Sequence, residues 1–252
     1  AGIAVLRPIE NLTSADWNKQ LTVNLDSVFF GTRRAVEIMR KAGKGGSIVN
    51  LSSVAGLVGV PACSAYAAAK AGADRLIYSY TKTYDLPAVI IRPFNNYGPC
   101  QHLEKAIPNF IVSALQDQPL TIHGDGQSSR DWMYVEDTCE ALDKVLHAER
   151  DRVIGQTINL GTGTDTSVVE IGRKILLFLN KPESLLQFIE DRPGQVTRHI
   201  SSTQKAHECL QWQSKIDLDE GLDRTIEFYR NNRQWWERVL WMKELWGPRT
   251  KG

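Results

Sequence analysis

Two short aliphatic runs, Ser47-Ile-Val-Asn-Leu51 and Ala88-Val-Ile-Ile-Arg92, each follow a long helical pattern, and this alternation limits the fold more than any other feature of the chain. The first pattern covers residues 14 to 42. Thr13 or Ser14 caps it, Trp17, Leu21, Leu25, Val28 and Phe29 recur at helical spacing, and Ala42-Gly-Lys-Gly-Gly46 stops it. The second pattern, rich in alanine, runs from about Ser64 to Tyr84 and breaks before Pro87. Strands that are apolar at successive positions have no face to give to water, so these two are predicted to lie in a parallel sheet covered on both sides. The first half is therefore predicted to be α/β.

After Phe94 the texture changes to short elements separated by turn-forming stretches such as Asn95-Asn-Tyr-Gly-Pro99 and His123-Gly-Asp-Gly126. Helices are predicted near 105 to 117, 135 to 149 and 167 to 180, in a smaller α/β lobe. The stretch from Leu218 to Leu245 also reads as helical. Its Trp235, Trp236, Trp241 and the following Trp246 are expected in core or subunit packing rather than around a ligand.

Tyr66 and Lys70 lie four residues apart on the second predicted helix, so their side chains share a face. A phenol ionises near pH 10, and a neighbouring ammonium is expected to lower that value, which makes such a tyrosine a usable acid and base. Ser53, in the loop after the first strand, can donate to a carbonyl oxygen that gains negative charge. Taken alone, Tyr-x-x-x-Lys also fits an ordinary solvated helix face.

Composition removes several classes of partner. Thirty basic against twenty-nine acidic residues leave a formal charge of +1, so no global field draws the chain to nucleic acid or to an anionic membrane. No apolar run is long enough to span a bilayer. Cys63, Cys100, Cys139 and Cys209 form no Cys-x-x-Cys pair and the five histidines show no metal-ligand spacing, which argues against zinc, any other metal, and a disulfide framework. A reducing, cytoplasmic setting is expected.

The surroundings of Tyr66 carry more information than the pair itself. Gly46-Ser-Ile-Val-Asn-Leu-Ser-Ser-Val-Ala-Gly56, followed by Ser64-Ala-Tyr-Ala-Ala-Ala-Lys70 with thirteen residues from Ser53 to Tyr66, resembles the short-chain dehydrogenase/reductases. The resemblance implies a catalytic set of Ser53, Tyr66 and Lys70, with Asn24 in Val23-Asn-Leu25 completing it through a proton-relay water. It also implies NAD or NADP as hydride carrier, bound by Ala1 and Gly2 at the adenosine side, by Tyr66 and Lys70 at the nicotinamide ribose, and by Pro93. Arg92-Pro-Phe-Asn-Asn-Tyr-Gly-Pro99, Gly124-Asp-Gly126, Arg130-Asp-Trp132, Tyr134-Val-Glu-Asp137, Asn159-Leu-Gly161 and Asp191-Arg-Pro-Gly194 resemble, in that order, the extended members of the superfamily: nucleotide-sugar epimerases and 4,6-dehydratases. Glu227-Phe-Tyr-Arg with Trp235-Trp236 leans towards the dTDP-glucose 4,6-dehydratase branch. A dTDP- or UDP-linked sugar is the implied substrate, its diphosphate held by Arg130 and Arg192 through paired donors. Asn95, Asn96, Lys105 and Asn159 are the implied contacts to sugar, phosphate and base.

On this resemblance the fold is a partial Rossmann-like parallel sheet, lacking its first three strands, with a smaller α/β substrate-binding lobe. Residues 1–93 form the NAD(P)-binding part and 94–252 the nucleotide-sugar lobe with the C-terminal helices, some segments of which return to the first domain. The glycine-rich turn that brings backbone N–H groups to a cofactor pyrophosphate is absent from the 252 residues. Residues 1 to 63 resemble the single-domain oxidoreductases, whereas 64 to 238 resemble the extended sugar-nucleotide enzymes. The Asp-Glu pair with which the dehydratases eliminate water is replaced by Val54 and Ala55. The readings that follow are a 4-epimerase-like enzyme, a dehydratase by descent, a simple ketoreductase, and an inactive chain that binds nucleotide sugar. An exposed sheet flank and the helices at 14 to 42 and 64 to 84, the dimer bundle of the family, imply a homo-oligomer.

Overall fold

The computed structural model describes residues 2–5, 7–43, 45–57, 62–191 and 195–245. Ala1, Arg192 and Trp246, singled out above, lie outside the described residues. Helix α1 (Ser14–Leu21) and helix α2 (Ser27–Ala42) are joined by a π-helical turn over Thr22–Asp26. Strand β1 (Ile48–Leu51), helix α3 (Ser64–Tyr84), strands β2 (Ala88–Pro93) and β3 (Asn95–Tyr97), and helix α4 (Ala106–Leu115) follow. Next come β4 (Leu120–His123), β5 (Ser129–Arg130), β6 (Trp132–Tyr134), α5 (Val135–His147), α6 (Arg150–Val153) and β7 (Thr157–Leu160). The last elements are β8 (Thr166–Ser167), α7 (Val168–Phe178), β9 (Leu186–Ile189), β10 (Arg198–His199), α8 (Gln204–Leu210), α9 (Leu218–Asn231) and α10 (Arg233–Glu237), with a 3-10 segment over Leu240–Leu245.

The chain divides into two compact units. The first comprises Ala1–Phe94, Glu140–Leu160 and Ser202–Gln213; the second comprises Asn95–Cys139, Gly161–Ser201 and Ser214–Gly252. Two late segments thus rejoin the first unit.

In the first unit β1, β2 and β7 form a parallel sheet in that order, with Val49 opposite Val89 and Ile91 opposite Ile158. The aliphatic run of β2 is buried throughout its first four residues, as a central strand covered on both faces requires. α3 begins with good helix formers and buries Ala65, Ala69, Ala73, Ile77 and Thr81, one residue per turn, with Lys70 and Asp74 on the adjoining stripe. It ends at Asp85, and Leu86-Pro87 turns the chain into β2.

The second unit has three small sheets: β3 with β6 and β4 with β9, both parallel, and β5 between β10 and β8. Its core gathers α4, α7, α9 and α10 through Phe110, Ile111, Ile175, Leu222, Ile226, Tyr229 and Trp236. Trp236 donates its indole N–H to the Tyr229 carbonyl at 2.7 Å, and Trp235 packs against Phe228, as expected of core tryptophans. Trp241 lies outside this core at 60% exposure. It stands between Leu240 and Met242, which both pack on the core, and this sends its own side chain outward.

No helix among the described residues is long and apolar enough to cross a membrane. Phe110, wholly buried in the second unit's core, is expected on replacement by alanine to lower stability by about 3–5 kcal/mol. Urea unfolding checks this, and a loss under about 1 kcal/mol would contradict the packing described.

Candidate active site

In the first unit the loop leaving β1 carries Ser53, whose hydroxyl accepts the Ala55 amide at 3.2 Å and lies close enough to the Tyr66 phenol to act on its ionisation. One turn along α3, Lys70 is buried to 7% exposure with its Nζ 5.7 Å from the centre of the Tyr66 ring. Its ammonium donates to the Leu51 carbonyl at 3.2 Å. Asn24, in the π-helical turn, clamps the backbone of Ile3: Nδ2 donates to the carbonyl at 2.7 Å and Oδ1 accepts the amide at 3.2 Å. π-turns of this kind interrupt helices chiefly at functional places. Gln20, one turn earlier and fully buried, holds the Val5 backbone in the same way, with Oε1 accepting the amide at 3.0 Å. A Cβ on Gly2 would stand 3.0 Å from Asn24 Oδ1 and 3.8 Å from Lys70 Nζ. Ser53, Tyr66, Lys70, Asn24 and Gly2 therefore form one cluster.

One expectation fails. The Tyr66 phenol is held above its ordinary value, because burial penalises the phenolate more than the Ser53 hydroxyl favours it. Burial in turn pushes the Lys70 ammonium down, opposed by the Asp74 carboxylate. With its ammonium turned to the Leu51 carbonyl, Lys70 does not outweigh the burial of its neighbour. In the Ser53→Ala variant the phenol loses the hydroxyl that favours its ionised form, so its titration is expected at still higher pH. Ultraviolet difference titration against Tyr66→Phe reads this, and an unchanged or lower midpoint would contradict it.

Pro93 ends β2 opposite Leu160, and Asn159 lies beside Arg92 in the same sheet, its side chain half-buried. Among the described residues no hydrogen bond joins Pro93 or Asn159 to the Tyr66 cluster.

In the second unit Arg130 is pinned by Nη1, which donates to the carbonyls of Ser129 and Val196 at 2.7 Å each. Its Nε and Nη2 have no partner among the described residues, and together they form the edge of a guanidinium suited to paired phosphate or carboxylate oxygens. Burial, followed by the charge of Arg130, pushes the His199 imidazole below its ordinary value. Asn95 donates through its amide N–H and Nδ2 to the Asp131 carbonyl at 3.2 and 3.3 Å. Asn96 accepts from Thr138 at 2.6 Å, a structural commitment of its side chain. Lys105 precedes α4, more than half exposed, and pairs with Glu104 at 3.2 Å.

Sequence reading missed the residue that organises this group. The carboxylate of Asp131, fully buried, accepts from Thr162 N and Oγ1 at 2.8 Å, Gly163 N at 3.1 Å, Ser201 N at 3.2 Å and Ser201 Oγ at 2.6 Å. Gly161 is required here, since a Cβ would run into Ser201 Oγ and Asp131 Oδ2. Removing the carboxylate in Asp131→Ala strands several buried donors and is expected to cost about 3 kcal/mol or more, measurable by urea unfolding. Nearby, Arg198 and Ser129 bind Asp165 and pull its carboxyl down to about 2. That is below the unfolded value of about 3.9. Its contribution to stability is thus present above that value and lost as pH falls towards 2, and Asp165→Asn is expected to flatten acid unfolding over that window.

The profile described as short chain dehydrogenase matches residues 1–91, and that of GDP-mannose 4,6 dehydratase matches 60–225. Both include Tyr66 and Lys70, and the fold and cluster define the class as the extended short-chain dehydrogenase/reductases. Within it, the chain belongs to the GDP-mannose 4,6 dehydratase family. A trifunctional UDP-glucose 4,6-dehydratase/UDP-4-keto-6-deoxy-D-glucose 3,5-epimerase/UDP-4-keto-L-rhamnose-reductase of Arabidopsis thaliana is 41% identical over 69% of this chain and 26% of its own length. A dTDP-glucose 4,6-dehydratase of Neisseria meningitidis is 36% identical over 70% of this chain and 52% of its own. The chain thus spans from a quarter to about half the length of these relatives. The dTDP-glucose 4,6-dehydratase DesIV of Streptomyces venezuelae, solved with NAD bound, superimposes with a TM-score of 0.78 at 29% identity, covering 95% of this chain and 74% of that one.

Proposed function

We propose that the protein is an NAD(P)-linked enzyme that oxidises and re-reduces C4 of a dTDP- or UDP-linked sugar, the chemistry of a 4-epimerase. The observation that carries this reading is the half-buried Tyr66 phenol with the Ser53 hydroxyl acting on it and the Lys70 ammonium 5.7 Å from the centre of its ring. NAD or NADP, when bound, supplies the acceptor for a hydride from C4. Tyr66 Oη takes the proton of the 4-hydroxyl, and Ser53 Oγ steadies the oxygen as it becomes a keto group. Lys70 favours the phenolate in that step and holds the ribose hydroxyls. The fit to a dinucleotide is supported at the ribose end by the Lys70 ammonium, which gives one of its three donors to the Leu51 carbonyl and has no other hydrogen-bond partner among the described residues. Within the second unit, Arg130 presents an Nε–Nη2 edge that suits a sugar-nucleotide diphosphate. Arg192, Asn95, Lys105 and Asn159 join it in this proposal.

Dehydration is the less favoured outcome although the relatives' names carry it, since Val54 and Ala55 offer no acid or base. The reading from a different class, a nucleotide-sugar-binding protein without redox chemistry, is favoured by one observation: burial holds the Tyr66 phenol above its ordinary value. A ketoreductase acting on small ketones stands outside both.

Calorimetry with NAD and NADP tests the proposal: micromolar binding, weakened roughly ten- to hundredfold in Lys70→Met, is expected. No binding at millimolar cofactor would leave the binding protein. Product analysis separates the enzymes, a 4-keto-6-deoxy sugar marking dehydration. Self-association is part of this reading, supported by a groove of about 850 Å³ between α2 and α3 lined by Phe29, Val36, Met39, Leu76, Tyr80 and Tyr84. Light scattering is expected to report a dimer, and a clean monomer at micromolar concentration would contradict it.

A further inference from the structure

The Tyr66–Lys70 stripe of α3 continues one turn further to Asp74, which is as deeply buried as the lysine, at 8% exposure against 7%. Arg92, near the end of β2, binds it through Nη2 at 2.5 Å and Nε at 3.2 Å, both to Oδ2. The second oxygen, Oδ1, has no partner among the described residues. An ion pair this buried is a poor device for stability, because desolvation offsets the attraction and two well-packed apolar side chains commonly do as well.

Its position suggests another use. Around the Lys70 ammonium stand Tyr66 and Asp74 on its own helix, Asn24 and Gly2 from the N-terminal segment, and the Leu51 carbonyl from β1. Arg92, from β2, faces Asp74. Asp74 stands one helical turn from Lys70 on the same buried stripe of α3, and its charge opposes the burial that lowers the ammonium. We infer that Asp74, oriented by Arg92, is a positioning residue that supplies the negative charge holding the Lys70 ammonium beside Tyr66. Burial alone drives a lysine towards the neutral amine, which neither favours a phenolate nor binds ribose as a cation. Asp74 opposes that drive without touching a substrate, and this role rests on the reading of Lys70 as the cation of the active site.

The test is a pH titration of lysine side chains by nuclear magnetic resonance on protein with isotope-labelled lysine, the Lys70 signal being the one lost in Lys70→Met. In Asp74→Asn the Lys70 midpoint is expected to fall by about one pH unit or more, and in Asp74→Glu to return to the wild-type value. Asp74→Asn leaves the Arg92 charge buried without its partner. Should that variant not fold, the double variant Asp74→Leu with Arg92→Met, which keeps the packing and removes both charges, carries the same expectation. A folded variant of either kind whose Lys70 midpoint stays at the wild-type value overturns the inference, even if NAD binds. A midpoint that falls in a protein binding neither NAD nor NADP leaves the inference standing and removes the enzymatic reading instead.

Discussion

Parallel pairing of β1, β2 and β7 is the constraint on which the first unit's chemistry depends. Because all three strands run the same way, their carboxyl ends fall at one edge, with Leu51 opposite Ile91, Arg92 opposite Asn159 and Pro93 opposite Leu160. The loop leaving that edge delivers Ser53, and α3 returns across the sheet with Tyr66, Lys70 and Asp74 on consecutive turns. Open parallel sheets bind ligands outside such carboxyl ends. The burial that keeps the strands apolar also strips water from a phenol, an ammonium and an ion pair. That is why their proton affinities move and why their neighbours matter.

The second unit works by a different device. Its sheets have two to three strands each, too little to fix long loops by ladders alone. One buried carboxylate replaces the missing ladder: Asp131 gathers the turn after Gly161 and the backbone at Ser201, while its own carbonyl holds Asn95. Arg130, the residue before it in the chain, is thereby set on a fixed backbone, and its Nη1 is spent on two carbonyls so that the opposite edge is presented.

Much of this was legible in the residues. The continuous aliphatic runs specified a parallel sheet, the four-residue spacing of Tyr66 and Lys70 put them on one face, and the alanine stripe located the side of α3 that packs. What the spacing did not carry was environment. That the phenol is pushed up rather than down depends on how much water the folded chain removes and on where the Lys70 ammonium finds its acceptor, here a carbonyl nineteen positions earlier in the chain. Asp131 was visible only as the middle of an Arg-Asp-Trp triplet, because its five donors come from segments thirty or more residues away. Asn96, read as a ligand contact, is occupied by Thr138 for the same reason: helix α5 supplies the hydroxyl, and no local pattern announces it.

On the proposed function, Tyr66 moves a proton while C4 of a nucleotide sugar is oxidised. Mixing the protein with NAD and then with UDP- or dTDP-glucose, and following nicotinamide absorbance within one turnover, tests it most directly. Transient reduced nicotinamide is expected in the wild-type protein, and its loss in Tyr66→Phe. Reduced nicotinamide that forms equally well in Tyr66→Phe, or none in a wild-type protein shown to hold both ligands, would contradict it.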